Sequence, residues 1–277
     1  MSRVNFFSET LHGSGTKAFD ARHESFLYED GNAVGSGGPP NTYVIVTSFT
    51  GGATGSAIKV NVADDNVTGV VRLSQTISAA AQTAYCGFGS FTTIRPYVCD
   101  PDSILTFVCK VRAVDINIAP AANQYMFFGL SDPTATASVH TNAIGFIVNS
   151  SSFLGDRFVA SPAVVSGGVL SQNNAIQSMI LMTGEKGVGL WRHFMFQIER
   201  ISGVFNVTYY KLWDSANSTG SAGLWIKTAT ITAGIPTSAG MAQNFQLATV
   251  TSSGAAGGAT TLEIDYVMIK NVRKVPR

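Results

Sequence analysis

Side-chain polarity in this chain alternates with a period of two, in one short run after another. No long stretch keeps the i, i+3, i+4, i+7 apolar spacing of an amphipathic helix. Successive residues of a strand point to opposite faces, so this pattern is what half-buried β-strands require and what helices cannot satisfy. Residues 104–113 show it most clearly: Leu105, Phe107, Cys109, Val111 and Ala113 share one face, and Thr106, Lys110 and Arg112 share the other. Residues 191–201 and 204–213 form a second case, joined at Ser202-Gly203, a dipeptide suited to a tight hairpin. Residues 125–130 and 144–148 are apolar at both parities, the mark of strands covered on both sides. Further runs fall at 43–49, 58–62, 67–73, 176–182, 224–231, 245–250 and 262–272, separated by Gly, Ser, Asn, Asp and Pro. Such short strands, without intervening helices, predict an all-β antiparallel fold over residues 41–277, a β-sandwich or jelly roll. No fixed-period repeat suggests a solenoid or propeller. Segments 50–56 and 252–260, rich in Gly, Ala, Ser and Thr, read as exposed loop tips. Residues 1–40 form an N-terminal arm ending in a Gly/Pro linker at 35–40 (GSGGPP). They either dock elsewhere or supply an ordered first strand of the same sandwich.

Charge narrows the class of partner. Only 13% of the 277 residues are charged, about half the usual share of roughly 25%, while 45% are hydrophobic, the balance of a folded chain. Net charge is +1, so no long-range field draws in nucleic acid, anionic membrane or acidic substrate. A near-neutral surface carried by hydroxyl and amide side chains favours association, with copies of itself as a dimer or trimer or with another protein. No stretch has the 18 or more apolar residues of a membrane span, and residues 1–10 lack the apolar core of a secretory signal, which predicts synthesis in a cytoplasm. Three cysteines, Cys86, Cys99 and Cys109, leave at least one unpaired. Cys109 lies on the apolar face of its strand as a small hydrophobe, and a reducing compartment argues against a Cys99–Cys109 bridge.

The order of several segments resembles a known group. Residues 69–73 (GVVRL) followed by a Ser/Thr/Ala stretch at 74–83, Phe128-Gly129-Leu130 followed by Ser131-Asp132, the pair 191–199 and 204–210, and the closing run 262–269 (LEIDYVMI) together resemble the concanavalin A-like lectin/glucanase jelly-roll domain of tailed-bacteriophage structural proteins. The resemblance covers roughly residues 64–272 and leaves the first 60 outside it. It implies a double-sheet sandwich and a place in a virion, assembled in the host bacterial cytoplasm. The expected role is a capsid decoration, cement or head-fibre protein bound to the major capsid protein or another virion protein. The alternative is a tail-associated adhesin that binds a host surface glycan.

Candidate chemistry is sparse. The fold implied by the resemblance also hosts glucanases with carboxylates along one strand. Glu263 and Asp265, two apart, are expected to share a face. The glucanase pattern places a third carboxylate two positions on, where this chain has Val267, so the pair needed for retaining hydrolysis is incomplete and no enzyme is expected. His12, His23, His140 and His193 are scattered, without a nucleophile elbow or zinc-ligand spacing. Asp64, Asp65 and Asn66 offer three oxygen ligands of the kind calcium takes, but they are also ordinary turn formers. No metal or other cofactor is expected. Trp213, Trp225, Tyr209 and Tyr210 are candidate sugar platforms, although alternating strand aromatics more often belong to a core. Nothing resembles a phosphate cradle or a basic–aromatic stripe for nucleic acid.

Overall fold

A computed structural model describes residues 24–29, 44–62, 67–89, 97–116, 122–132, 140–149, 160–172, 191–212, 225–252 and 259–274. Fifteen strands and no helix occur among them: β1 (Glu24–Glu29), β2 (Val44–Thr50), β3 (Thr54–Val62), β4 (Val67–Thr76), β5 (Thr83–Gly89), β6 (Ser103–Ile116), β7 (Ala122–Ser131), β8 (Ala143–Asn149), β9 (Ser161–Ser166), β10 (Val169–Gln172), β11 (Arg192–Ile201), β12 (Val204–Leu212), β13 (Trp225–Ile231), β14 (Ala242–Ser252) and β15 (Ala259–Arg273). They form two sheets. The first runs β13-β12-β11-β6-β15-β4-β3, with β1 also paired to β15, and the second runs β10-β9-β8-β7-β14-β5-β2. Every pairing is antiparallel. The chain changes sheet repeatedly, and neighbours such as β6, β15 and β4 are remote in sequence, which makes this a jelly-roll sandwich.

One apolar cluster fills the space between the sheets. Leu105, Phe107, Cys109, Val111 and Ala113 of β6 enter it as the alternation requires. Phe107 stacks on Phe196 at 4.9 Å, and Phe146 lies among Phe128, Phe194, Phe196 and Tyr209. The Tyr209 hydroxyl satisfies itself inside this core by donating to the Ala163 carbonyl at 2.8 Å, tying β12 to β9.

Several expectations shift in detail. The run at 176–182, the Asp64-Asp65-Asn66 turn, Trp213, His12 and His23 lie outside the described residues. The segment 50–56 is less a loop than a tight turn at Gly51-Gly52, both at positive φ, with β3 already begun at Thr54. Ser252, Ala259 and Thr260, read as part of a loop tip, belong to β14 and β15. Within the segment read as an arm, Glu24–Glu29 is a strand on β15. The residues of β5, β9 and β10 add strands not picked out from alternation. The hairpin at Ser202-Gly203 stands as expected, with φ of 50° and 85° at its two central residues.

Two features position the rest. The first is a bulge in β15. Ile264 pairs with Val111 and Tyr266 with Lys110, so Asp265 is an extra residue in the ladder. The second is the end of the sandwich where β11 turns into β12. Glu199 is opposite Ile104 near the start of β6. Tyr97, just upstream, bridges to Met241 at the start of β14. Ala242 is opposite Ser131, Ser131 opposite Ala143, and Ala143 opposite Val165, next to the β9–β10 turn. These connections therefore share one end.

Candidate functional site

The strand expected to carry carboxylates runs through the centre of the first sheet. Leu262 and Ile264 face the core, so Glu263 faces outward. It stands in one cross-strand rung with Arg72 of β4 and Arg112 of β6. Arg72 donates from Nε (2.8 Å) and Nη2 (2.5 Å) to Oε1. Arg112 donates from Nε (2.7 Å) to Oε2, with its Nη2 at 2.5 Å from the same oxygen. The Glu263 side chain is fully buried, whereas that of Arg72 is 38% exposed. Both carboxylate oxygens are thus occupied by guanidinium groups in charge-assisted hydrogen bonds.

Asp265 is also paired: Lys110 donates from Nζ to its Oδ2 at 2.7 Å. Glu263 and Asp265 do reach the same outer surface, since Lys110 and Arg112 both lie over the Trp191 ring, at 4.9 and 4.5 Å from its centroid. The bulge reverses the facing of the residues beyond it. Strict alternation would bring Val267 onto this surface, but it turns into the core and Met268 takes the outward place. Met268 packs with Val108 and Met195, flanked by Tyr210, Trp225 and Tyr266. A carboxylate beyond Asp265 is absent at both positions, and the Glu263 carboxylate is held by two cations. A free acid–nucleophile pair of the retaining type is not assembled here.

Of the candidate sugar platforms, Tyr209 is core, while Tyr210 and Trp225 line the outer apolar patch. Trp191 and Tyr266 were not among those candidates. Trp191 sits at the entry to β11, and Tyr266 directly after the bulge, where sequence parity no longer gives the face a side chain takes. His193 lies on the same surface, its ring 6.0 Å from that of Tyr266. Among the described residues, no group of three or more His, Cys, Asp or Glu side chains is placed to hold a metal ion. All three cysteines are buried free thiols. Burial pushes the Cys86 thiol up to about 12 and that of Cys99 up to about 11, so neither suits nucleophilic work.

The second sheet's outer surface carries a line of polar contacts. Tyr125 donates to Gln246 Oε1 at 3.3 Å, and Gln246 Nε2 donates to the Tyr85 hydroxyl at 3.2 Å, all three being buried. Nearby, buried His140 packs on Phe127 at 4.7 Å, with Nδ1 3.9 Å from Asp132 Oδ1. Burial lowers its pKa to about 4, against an opposing pull from Asp132. An unfolded chain takes up this proton near 6.5, so the unfolded state binds more protons in the interval between. Stability from this group is therefore full above pH 6.5 and falls as pH drops toward 4, by about 3 kcal/mol in all. Urea midpoints at pH 7.5 and 4.5 check this, and His140→Gln is expected to flatten the decline.

The end shared by the β11–β12 and β9–β10 turns has a different character. Among the residues whose side chains are described, the exposed large hydrophobic ones are Val98, Val169, Ile201 and Val204, and these four lie there. Ile201 and Val204 flank the Ser202-Gly203 turn, and Val169 follows the Gly167-Gly168 turn, both glycines of which are at positive φ. Around them are charges of both signs: Asp100 and Asp102 on one connection, and Lys274, which donates to the Arg200 carbonyl at 2.9 Å and pairs with Glu199 at 2.8 Å.

No family model matches the chain, and no curated protein matches it. Solved structures do. The chain is similar in fold to an endo-1,3-beta-glucanase from Streptomyces sioyaensis, at 10% identity, covering 94% of this chain and all of that one, with a TM-score of 0.47. It is similar to peanut lectin at 11% identity, covering 92% of this chain and all of that one, with a TM-score of 0.49. It is also similar to the CBM2 module of the evolved Dit of Lactobacillus casei BL23 phage J-1, at 10% identity, covering 92% and 98% of the two chains, with a TM-score of 0.45.

Proposed function

We propose that this chain is a structural protein of a tailed-phage virion, a capsid decoration or head-fibre protein that acts through protein–protein contacts and catalyses nothing. The observation that carries the reading is the gathering of Val98, Val169, Ile201 and Val204, all exposed, at one end of the sandwich, two of them beside a two-residue turn. Contacts of this kind, preorganised and ringed by polar groups, lose little conformational freedom on docking. The low charge of the chain favours a packed setting, and the ion-paired state of Glu263 and Asp265 removes the nearest route to glycan hydrolysis. The expected partner is the major capsid protein or another virion protein, with the chain made in the host cytoplasm and resident on the particle.

The alternative, an adhesin for a host surface glycan, draws on one feature: the half-buried Trp191 ring with Lys110 and Arg112 on the outer surface of the first sheet. Binding to emptied shells separates the two. The chain is expected to remain with shells on sedimentation and to raise their melting temperature. Ile201→Lys combined with Val204→Lys is expected to weaken binding about tenfold or more, because it places charges in a drying contact. Both positions are exposed, so the variant's own stability should change by no more than about 0.5 kcal/mol per site. Binding to host polysaccharide that Trp191→Ala abolishes, with shells unaffected, would replace the first reading with the second.

A further inference from the structure

The β9–β10 turn is tied to the rest of the sandwich through a connection that itself rests on a buried histidine. The β8–β9 ladder ends with Val165 opposite Ala143. Beyond it Gly167 and Gly168 stand in open space, where an added side-chain carbon would meet nothing within 4 Å. Among the described residues, the main-chain bond that reaches this turn from outside its own hairpin runs from the Gly168 N–H to the Thr141 carbonyl, 3.0 Å. Val169, 70% exposed, follows directly.

Thr141 belongs to the stretch 140–142 that leads into β8 and is clamped to the end of β7. The Asp132 carboxylate accepts from the Asn142 N–H at 2.9 Å and from the Thr141 N–H at 3.4 Å. The Asp132 N–H donates in turn to the Asn142 carbonyl at 2.9 Å. His140 begins the stretch, buried against the Phe127 ring, and neither of its ring nitrogens has a hydrogen bond to a protein partner. Asp132 Oδ1, at 3.9 Å from Nδ1, is too far for one and already serves the Asn142 amide.

Such a site suits a neutral imidazole. An imidazolium brings a charge and two N–H donors that need acceptors. Among the described residues, the titratable groups facing it are Asp132 and, beyond the Gln246 side chain, Tyr125 of β7 and Tyr85 of β5. Burial pushes both phenols up, so they stay neutral and Asp132 is the counter-charge. His140 lies outside the strands, since β8 begins at Ala143. It can therefore reach water by moving residues 140–142 without breaking a ladder.

We propose that His140 is an acid-released latch: once charged, the imidazole leaves its site, lifts residues 140–142 from Asp132 and Gly168, and frees the β9–β10 turn while both sheets stay folded. The inference concerns the free chain and goes beyond the docking reading, so either can fail without the other.

Hydrogen exchange of the full chain tests it. Between pH 7.5 and 4.5, protection of the Asn142 and Gly168 amides, corrected for the intrinsic rate, is expected to fall about 70-fold. That ratio follows from a latched value of about 4 and a released value of 6.5 for the imidazole. At pH 4.5, low urea should leave these two amides unaffected, because a local opening exposes little surface, while the Phe107 amide in β6 loses protection as global unfolding requires. His140→Gln, which cannot take up the proton, is expected to hold both amides within about threefold across the same interval. Should that variant not fold, the two readings on the parent decide alone. Protection that survives at pH 4.5, or that is lost with the urea dependence of Phe107, overturns the proposal. So does a folded His140→Gln protein that opens as the parent does.

Discussion

Replacing Glu263 with alanine is expected to lower the unfolding free energy by about 3 kcal/mol and the melting temperature by about 6–12 °C. The carboxylate is fully buried and answers two guanidinium groups on the neighbouring strands. Removing it takes the Glu263 carboxylate away from the Arg112 side chain, which is 14% exposed. Losing one partner of a buried pair costs more than the intact pair contributes, and the effect falls near the lower end of the usual range of about 3–5 kcal/mol, since Arg72 can turn partly into water and Arg112 keeps its place over the Trp191 ring. The arginines should therefore rank below the glutamate: Arg112→Ala next, and Arg72→Ala about 1 kcal/mol or less. Thermal melts of the three variants check the order. A Glu263→Ala protein as stable as its parent would mean that the rung is not a structural clamp.

Phe146→Ala is expected to cost about 3–5 kcal/mol, read as a shift in the urea midpoint at unchanged slope. The ring is fully buried in β8 and lies 4.9 Å from Phe194, 5.3 Å from Phe128 and edge-on to Tyr209 at 5.2 Å. These rings come from both sheets, so the cavity opens where the sandwich is held together and cannot close by movement of one strand. Such edge-on and offset contacts add about 0.5–1.5 kcal/mol per pair beyond burial. A substitution at the exposed Val204, by contrast, should leave the midpoint within about 0.5 kcal/mol of the parent.

Strand identity in this protein was largely legible from polarity, because a strand with one dry face must alternate. Residues 104–113 show this cleanly, and the hairpin at Ser202-Gly203 was marked by its turn residues. Legibility failed where something other than alternation decides. β5 (TAYCGFG) is buried on both faces and broken by glycines, so no period stands out. β9 begins Ser-Pro, and proline normally argues against a strand; Pro162 is tolerated near the strand's start. The bulge at Asp265 shifts every later side chain of β15 to the other face, which sequence parity cannot reveal.

The outer site was harder still. Glu263 is 191 residues from Arg72 and 151 from Arg112, and only the strand order brings them to one rung. Each residue type was visible, as was the polar face of β6. What was missing was the neighbour relation among β4, β15 and β6. Trp191 was visible as the start of the run at 191–201, but its contact with Lys110 and Arg112 was not, since those cations stand on another strand. The apolar end of the sandwich was illegible too, because Val98, Val169, Ile201 and Val204 are unremarkable until the topology gathers their connections at one end.

If the chain works by contact in place of catalysis, imaging intact purified particles by electron cryo-microscopy tests it most directly. The expected result is a two-sheet sandwich at regular positions on the particle exterior, with the β11–β12 and β9–β10 turns toward the protein beneath it. Particles that lack the chain, together with efficient glycan hydrolysis by the free protein, would contradict it.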